Sequence, residues 1–371
     1  MTRLQLRERI RDSAMALGFS HCRFTSAQPL ARRLVLQRWL AAGRQGYMAY
    51  LGRDIERRLD PRLSLEGAAS VVVVSWPYPA PPSSGPSSKD GLRGRIAAYA
   101  AGEDYHRAME RRLGVLAESV ARWSASPCAI QVDAGPLMEK DLAQRAGLGW
   151  FGYNTNILTK DQGSWLLLGA LITQVQLPAD PPFEQRHCGD CRACLPACPT
   201  SALDHGPTLD AKRCISYLTI ELRGPIPREL RGRLGAWVFG CDICQEVCPW
   251  NDKVDYTADN DFLNPFLPEL LSLSQEEFLQ RYGSTAVSRA RRRGLARNAA
   301  VALGNTGDAE AVPWLEETLF KHDEALVRAH AAWALGALGG VAARAALSRA
   351  AGRDVLPVRL EIEQALIECK S

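Results

Sequence analysis

The chain has 371 residues, 46% of them hydrophobic, and a formal net charge of only +4. This length and apolar content suit two or three domains with real cores, and the small net charge means that any basic surface must be local. No apolar run reaches the roughly 18 residues of a membrane span, and the N-terminus alternates charged and apolar residues too early for a signal peptide. We therefore expect a soluble, cytoplasmic protein with no membrane partner.

The first 180 residues predict an α+β domain. Helical periodicity runs through residues 3–17 and 28–42, and 70-SVVVVSWPY-78 is typical of a short buried strand. The stretch 79–95 is rich in Pro, Ser and Gly and predicts a mobile loop. Neither G-x-G-x-x-G nor a P-loop occurs, so a nicotinamide or nucleotide fold has no support. After the loop we expect a helix, a strand, a helix and a strand at 104–124, 128–133, 139–147 and 164–173.

Eight of the 11 cysteines lie between residues 188 and 248, which predicts a cluster domain at 181–255. The run 188-CGDCRACLPACPTSAL-203 has the C-x2-C-x2-C-x3-C-P spacing of two-cluster ferredoxins, in which the fourth cysteine ligates the other cluster. We infer two [4Fe–4S] clusters, which four cysteines each would hold. The first set is Cys188, Cys191, Cys194 and Cys248, and the second is Cys198, Cys214, Cys241 and Cys244.

Clustered cysteines can also form disulfides or bind zinc. A reducing cytoplasm favours metal over disulfides. Zinc sites usually pair two C-x2–4-C knuckles that close locally, so the spacing favours iron–sulfur clusters, with zinc as the alternative. Cys22, Cys128 and Cys369 stand alone and are interpreted as small buried hydrophobic residues.

The C-terminal part repeats itself. The A-L-G at 302–304 recurs at 334–336, an offset of 32 residues, and a weaker third copy begins at 358. Such a period predicts stacked helix pairs of the HEAT type over 286–371, after a linker at 256–285. Together with the preceding parts, this gives an α+β chain that ends in an α-helical repeat domain.

A run of arginines precedes and enters the repeats, with no acidic residue between 281 and 297. The plain interpretation is a solvated helix end. Beside the edge of a solenoid we favour nucleic acid, because arginine forks suit phosphate oxygens. The run comprises Arg281, Arg289, Arg291, Arg292, Arg293 and Arg297.

Together with 104-DYHRAM-109, 143-AQRAGLGWFGYNTN-156, 211-AKRCISYLTIE-221 and 241-CDICQEVCPWN-251, these features resemble the epoxyqueuosine reductases over nearly the whole chain. The resemblance implies reduction of epoxyqueuosine to queuosine at the wobble position of tRNA, with cobalamin and two [4Fe–4S] clusters as cofactors. An external low-potential donor would feed the clusters, which would relay single electrons to cobalt and generate cob(I)alamin. The epoxide oxygen would leave as water, which takes two electrons and two protons.

The resemblance also implies site residues. Asp133 matches the family's proton donor and His106 a position near the substrate. A carboxyl in an apolar pocket under a corrin would have its pKa raised by desolvation, as an acid requires, whereas the alternative is an aspartate that caps the turn 134-AGP-136. Cobalamin contacts are expected at Arg58, Ala97, Asp133, Ile157, Leu168, Ser216, Cys241 and Asp242. Contacts to the tRNA anticodon stem-loop are expected at Arg223, Arg289, Arg291, Arg292, Arg293 and Arg297.

Two departures from the family are visible. The family commonly has arginine where this chain has Ala98 and lysine where it has Tyr153, and Arg95 is a possible substitute for the first. No D-x-H-x-x-G motif is present, so cobalamin is expected without an axial histidine. Three alternatives stay open: a ferredoxin-type electron-transfer module, a dehalogenase-like cobalamin reductase of a small molecule, and a tRNA-binding scaffold. Nothing in the sequence demands more than a monomer.

Overall fold

A computed structural model describes residues 1–79, 91–204, 206, 208–252 and 260–369. Its strands are β1 (His21–Ser26), β2 (Ser70–Pro77), β3 (Arg95–Ile96), β4 (Cys128–Gln131), β5 (Trp150–Phe151), β6 (Ile157–Leu158), β7 (Leu166–Thr173) and β8 (Trp237–Phe239). Its helices are α1 (Arg3–Ala16), α2 (Arg33–Ala41), α3 (Ile55–Leu59), α4 (Tyr105–Ser124), α5 (Glu139–Arg145), α6 (Cys194–Ala197), α7 (Ile215–Ile220), α8 (Arg228–Arg231), α9 (Ile243–Glu246), α10 (Asn260–Leu263), α11 (Leu267–Ser272), α12 (Gln275–Tyr282), α13 (Arg291–Thr306), α14 (Val312–Lys321), α15 (Ala325–Leu338), α16 (Gly340–Ala350) and α17 (Leu356–Glu368). Within the described ranges, no helix is both long enough and apolar enough to cross a membrane.

A four-stranded antiparallel sheet organises the N-terminal part, in the order β1-β2-β7-β4. The predicted strands at 70–78, 128–133 and 164–173 correspond to β2, β4 and β7, whereas β1 was not predicted. Helix α2 begins at Arg33 rather than at residue 28, because residues 27–30 have no regular structure and the Leu30 backbone N–H bonds to the carbonyl oxygen of Leu59. Most of the predicted loop at 79–95 falls on residues 80–90, which lie outside the described residues.

Both faces of this sheet are covered, because the side chains of β2 alternate between two cores. Val72 and Val74 join the core formed with α1 and α4, and Val71 and Val73 join the core formed with α5. Helix α4 lies close to β7: a Cβ at Gly169 would stand 2.9 Å from Leu113 of α4. The helices packed on the two faces of the sheet therefore fix the positions of β4 and of the start of α5.

The cluster segment and the C-terminal helices share one apolar core, which runs from Leu92 to Cys369. The short strand β3 joins it by pairing in parallel with β8. The predicted linker at 256–285 is largely helical where it is described, and Leu267 and Leu271 of α11 are buried in the same core as Leu295 of α13. The observed architecture confirms the predicted α+β fold class with helical repeats at its C-terminal end.

The repeated glycines lie where repeat helices cross. A Cβ at Gly304 of α13 would stand 2.8 Å from the Cα of Ala334 in α15, and one at Gly336 would stand 3.0 Å from the Cα of Ala365 in α17. Successive helices therefore approach one another closely through small residues. This is the physical reason for the A-L-G recurrence.

Candidate active site

A cavity of about 420 Å³ lies between the N-terminal sheet and the cluster segment. Residues from both parts of the chain line it, so the folded arrangement of the two parts creates it. Six of the eight expected cobalamin contacts belong to its lining: Asp133, Ile157, Leu168, Ser216, Cys241 and Asp242. The four cysteines of the second set line it as well, namely Cys198, Cys214, Cys241 and Cys244.

The other two expected contacts, Arg58 and Ala97, lie outside the lining. Arg58 donates to the carbonyl oxygens of Tyr50 at 3.1 Å and Pro136 at 3.3 Å, while its Nε is buried without a hydrogen-bond partner. Ala97 is 1% exposed and stands behind the segment that precedes Cys241. Gly240 has a left-handed φ of +67°, and a Cβ there would stand 2.5 Å from the Cβ of Ala97. Ala97 thus allows the close approach that brings Cys241 to the cavity.

Asp133 lies just beyond β4, in the left-handed region with φ 42°. Tyr105 donates its hydroxyl to Asp133 Oδ2 at 2.7 Å, and His106 Nε2 lies 3.2 Å from the same oxygen. Arg289 Nη1 stands 3.6 Å from it. Half of the Asp133 side chain, 52%, stays exposed. Two hydrogen bonds and one ion pair therefore hold the carboxylate at the edge of the cavity.

These partners decide the charge of Asp133. Burial by itself would raise its pKa, but the hydrogen bonds from His106 and Tyr105 and the charges of His106 and Arg289 outweigh burial and lower the pKa to about 2. The contacts that Asp133 makes within the protein therefore keep it ionised, and the raised pKa expected under a corrin stays a prediction. Hydrogen bonds to the charged form win over desolvation here.

His106 bridges two carboxylates at the start of α4. Its Nδ1 lies 2.7 Å from Asp104 Oδ1, and its Nε2 faces Asp133. Burial alone would lower the pKa of His106, yet the hydrogen bonds and charges of Asp133 and Asp104 prevail and raise it. Asp104 is also the N-cap of α4 and accepts from the His106 backbone N–H at 3.0 Å. The cap therefore fixes the imidazole beside Asp133.

A third carboxyl in the lining, Glu139, was missed from the sequence. It is the first residue of α5, and its Oε1 accepts from the backbone N–H of Asp133 at 2.7 Å. Burial, and then the charge of Asp133, raise the pKa of Glu139 to about 8. Lys140 also lines the cavity and donates to the carbonyl oxygen of Thr155 at 3.1 Å. The only sequence signal for Glu139 is its place six residues after Asp133, across a turn.

The electrostatic neighbours of the cysteines lie mostly within their predicted groups, although Cys244 of the second group also interacts with Cys194 of the first, and the assignment of four ligands to each cluster stays a prediction. The thiol of Cys248 interacts with Cys188, Cys191 and Cys194 of the first run. In the second group, Cys214 interacts with Cys198, and Cys241 with Cys214 and Cys244. All eight are free thiols.

The chemistry of the second set fits a bound cation. Burial raises the pKa of the Cys214, Cys241 and Cys244 thiols, so thiolates at these positions need a compensating positive charge such as iron. In the described part of the chain, no three or more His, Cys, Asp or Glu side chains converge closely enough to hold a single metal ion. Ligands of a four-iron cluster each bind a different iron atom, and their sulfurs stand farther apart than the ligands of one ion.

The expected tRNA-binding arginines lie in three environments: four interact with one another, Arg292 is paired with an acidic residue, and Arg297 is buried. The guanidinium of Arg223 lies within the electric field of Arg289, Arg291 and Arg293, and we call these four residues the arginine cluster. Arg292 is instead paired with Asp323, and the Arg292 side chain is only 14% exposed.

The assignment of Arg297 to the tRNA surface is corrected by the structure. This side chain is 1% exposed and donates to the carbonyl oxygens of Leu218, Leu222 and Gly224 at 2.7–2.8 Å. From the inner face of α13, the Arg297 guanidinium thus provides hydrogen-bond donors for carbonyl groups at the end of α7 and in the turn after it. A charge run in a sequence does not show which of its members face the interior.

The arginine cluster adjoins the cavity through Arg289, which pairs with both Asp133 and Glu221. Tyr50 lies beside the same charges and is 42% exposed, and Tyr47 is 68% exposed. The edge next to Asp133 therefore combines cationic and aromatic side chains.

Neither departure from the family leaves an open gap. Ala98 is 1% exposed, and its backbone N–H donates to Asp242 Oδ2 at 2.7 Å. Arg95 pairs with Glu246 and lies over the ring of Trp237. The ring of Tyr153 is covered by the guanidinium of Arg192, at 3.9 Å.

Three family models match the chain in succession. Epoxyqueuosine reductase QueG matches residues 58–134, a 4Fe-4S double cluster binding domain matches 187–251, and HEAT repeats match 286–367. The predictions of a two-cluster segment and of HEAT-type repeats are therefore confirmed.

Relatives match over most of the chain. The epoxyqueuosine reductase of Xanthomonas campestris is 38% identical over 340 residues, covering 89% of this chain and 96% of its own. The epoxyqueuosine reductase of Pseudomonas aeruginosa is 39% identical over 342 residues, covering 89% of this chain and 94% of its own. Among solved structures, an epoxyqueuosine reductase with an epoxyqueuosine-modified tRNA-Tyr stem loop gives a TM-score of 0.91 at 32% identity over the whole of both chains. The Bacillus subtilis enzyme, solved with its catalytic aspartate loop swung out of the active site, gives 0.89 at 32% identity, again over both whole chains.

Proposed function

This chain belongs to the epoxyqueuosine reductase family, an oxidoreductase family of queuosine biosynthesis, and from that membership we propose that it reduces epoxyqueuosine to queuosine at the wobble position of tRNA. One observation carries the proposal: Asp133 and the four thiols of the second cysteine set line the same cavity. One wall of the cavity can therefore deliver electrons and the other a proton. Neither an electron-transfer module nor a scaffold needs this arrangement.

Cobalamin is the cofactor that we assign to the cavity. Its lining joins the apolar Ile157 and Leu168 with the polar Ser216 and Asp242, the combination of groups that cofactor sites use. The unpartnered, buried Nε of Arg58 fits a contact to a polar side chain of the corrin. When bound, cobalamin supplies a strongly reducing cobalt centre beside the epoxide. Ile157 and Leu168 would form an apolar seat for the ring.

Electrons would enter the cavity from the second cysteine set. Its four thiols line the cavity, whereas none of the first set belongs to the lining, and Cys244 lies in the field of Cys194 as well as Cys198. Cys198 follows α6, which carries Cys194, and Cys244 lies in α9. The first set would therefore receive electrons from an external donor and the second would pass them on.

Asp133 would protonate the departing oxygen, because an alkoxide is a poor leaving group. The contacts of Asp133 keep its carboxylate ionised, and the pKa of His106, whose Nε2 lies 3.2 Å away, is raised by the hydrogen bonds and charges of Asp133 and Asp104 against the effect of burial. A substrate that covers the cavity excludes water and increases the cost of the charged carboxylate. The proton would then move from His106 to Asp133 and on to the oxygen.

The arginine cluster would bind the tRNA. Its members interact with one another, and Arg289 connects them to Asp133 at the edge of the cavity. Arginine forks bind phosphate oxygens, and exposed aromatic rings such as Tyr47 and Tyr50 stack on unpaired bases. An anticodon loop laid over this edge would place its wobble base at the cavity.

A reconstitution assay tests the proposal. The protein is loaded anaerobically with iron, sulfide and cobalamin, reduced with a low-potential donor, and mixed with tRNA that carries epoxyqueuosine. We expect queuosine in the digested tRNA, and none when cobalamin is omitted. Loaded and reduced protein that leaves the epoxide intact would disprove the proposed function.

A further inference from the structure

The departing epoxide oxygen takes up two protons to leave as water, while the site described so far offers one. The proton on the His106–Asp133 pair can serve the first transfer. The cavity lining holds two further carboxyls, Asp242 and Glu139. Asp242 accepts from the backbone N–H of Ala98 at 2.7 Å, whereas the only hydrogen bond of Glu139 in the described structure is accepted from the backbone N–H of Asp133, also at 2.7 Å. Glu139 is half-buried and is the one of the two that contacts Asp133.

The contact holds Asp133 in an unusual backbone conformation. Asp133 adopts φ 42°, which a side chain other than glycine rarely takes. Glu139 begins α5, and α5 is fixed against β2 and β7 by Leu142 and Ala143, which are fully buried. The carboxyl of Glu139 therefore anchors a strained loop to a rigid helix.

We propose that Glu139 holds the second proton of the reaction and passes it to Asp133 after Asp133 has protonated the departing oxygen. This inference rests on the proposed function and deepens it. The step forms an O–H bond on Asp133 and breaks the one on Glu139. In the whole reaction, two protons and two electrons from the clusters convert the epoxide into an alkene and water. Glu139 acts through Asp133 and is a positioning residue for it.

The charges around Glu139 suit this role. Burial and the anionic charge of Asp133 favour its neutral form, while the hydrogen bond from the Asp133 backbone N–H and the cations His106 and Lys140 favour the ionised form. Burial and the Asp133 charge prevail and raise its pKa to about 8, whereas the pKa of Asp133 falls to about 2. Two carboxyls whose environments separate their pKa values in this way divide the acid and anion roles between them.

The first test needs no turnover. Infrared spectra of the cluster-loaded, cobalamin-free protein across pH report the protonated carboxyl of Glu139 as a C=O band that Glu139→Gln removes. We expect this band to titrate near pH 8 and its midpoint to fall in Asp133→Asn, because the neighbouring anion is gone. A band that titrates in the ordinary range of glutamate, or a midpoint that Asp133→Asn leaves in place, would overturn the proposal.

The second test is single turnover of the reduced, cobalamin-loaded enzyme. A glutamine in place of Glu139 has no acidic proton to give, yet it keeps an oxygen that can accept from Asp133, so Glu139→Gln should slow the reaction by about tenfold or more and remove the alkaline limb of its pH profile. Glu139→Asp should restore part of the rate. A purely structural Glu139 predicts that Glu139→Gln matches wild type while Glu139→Ala is impaired. If Asp133→Asn is inactive and Glu139→Gln is not, only this inference fails; if Asp133→Asn is active, the proposed role of Asp133 fails too.

Discussion

Single residues decide the chemistry of this cavity by what surrounds them. Asp133 ends a predicted strand, and its candidacy could be read from the sequence together with the family resemblance. The charge of Asp133 could not be read from the sequence, because Tyr105 and Arg289 reach this residue from α4 and from the turn before α13. Glu139 was invisible for the same reason: its burial depends on residues distant in sequence that close the cavity around it.

Burial of Glu139 predicts a dependence of stability on pH. Its pKa rises from 4.5 to about 8 on folding, so between these values the folded chain keeps a proton that the unfolded chain has lost. The stability that this proton gives is full below pH 4.5 and is lost as the pH rises through 8. Removing the titration with Glu139→Gln should therefore raise the melting temperature relative to wild type as the pH is raised.

The measurement is thermal unfolding of both proteins at about pH 6 and about pH 9, on either side of the folded-state pKa, followed by circular dichroism. Wild type should lose more stability than Glu139→Gln between the two conditions. Equal losses in the two proteins would mean that Glu139 is ionised in the folded state at both values. Asp12→Asn, on α1, is the matched control at a carboxyl outside the cavity.

At the scale of elements, the sequence predicted those with strong local patterns. Helix α4 and strand β2 appear close to their predicted bounds, because the first has one clear apolar face and the second a run of four valines. Strands β3, β5 and β6 have two residues each and form only because partners distant in sequence or a turn hold them. Such pieces carry no periodicity to detect.

The close crossing of α13 and α15 predicts a large effect from one methyl group. Gly304→Ala would place a Cβ 2.8 Å from the Cα and Cβ of Ala334, and overpacking of this kind costs about 1–3 kcal/mol. The gain in helix propensity, at most about 1 kcal/mol, does not offset it. We expect a lower melting temperature in thermal unfolding.

Gly294 in the same helix is the matched control. A Cβ there would meet only the Cβ of Ala290, at an ordinary 3.9 Å. Gly294→Ala should therefore leave the melting temperature unchanged or raise it slightly. A Gly304→Ala protein as stable as Gly294→Ala would show that the two helices do not cross so closely.

On the scale of the whole molecule, the repeats are part of the enzyme's core. Arg297 and Asn298 of α13 hydrogen-bond to the backbone of α7 and β8, close to Cys214 and Cys241. Removing residues 286–371 would strip these bonds and expose the shared core. Point substitutions on the surface are therefore the way to test tRNA binding.

Arg291 and Arg293 provide that test. Neutralising each arginine that contacts a phosphate should weaken tRNA binding and reduce the slope of log K against log salt by about 0.7–0.9. We expect this of Arg291→Ala and Arg293→Ala, measured by filter binding at several salt concentrations. Arg281→Ala is the control, because Arg281 pairs with Glu269 away from the cluster. Equal slopes in the wild type and all these variants would contradict the assignment of the tRNA surface.

The central claim is that Asp133 delivers the proton within the cavity shared with the second cysteine set. The most direct test is single turnover by Asp133→Asn after loading with iron, sulfide and cobalamin. Asparagine keeps the size of the side chain, so iron and cobalamin contents should equal those of wild type, while queuosine formation should fall by about 10²–10⁴-fold. An Asp133→Asn enzyme that forms queuosine at the wild-type rate would contradict the claim.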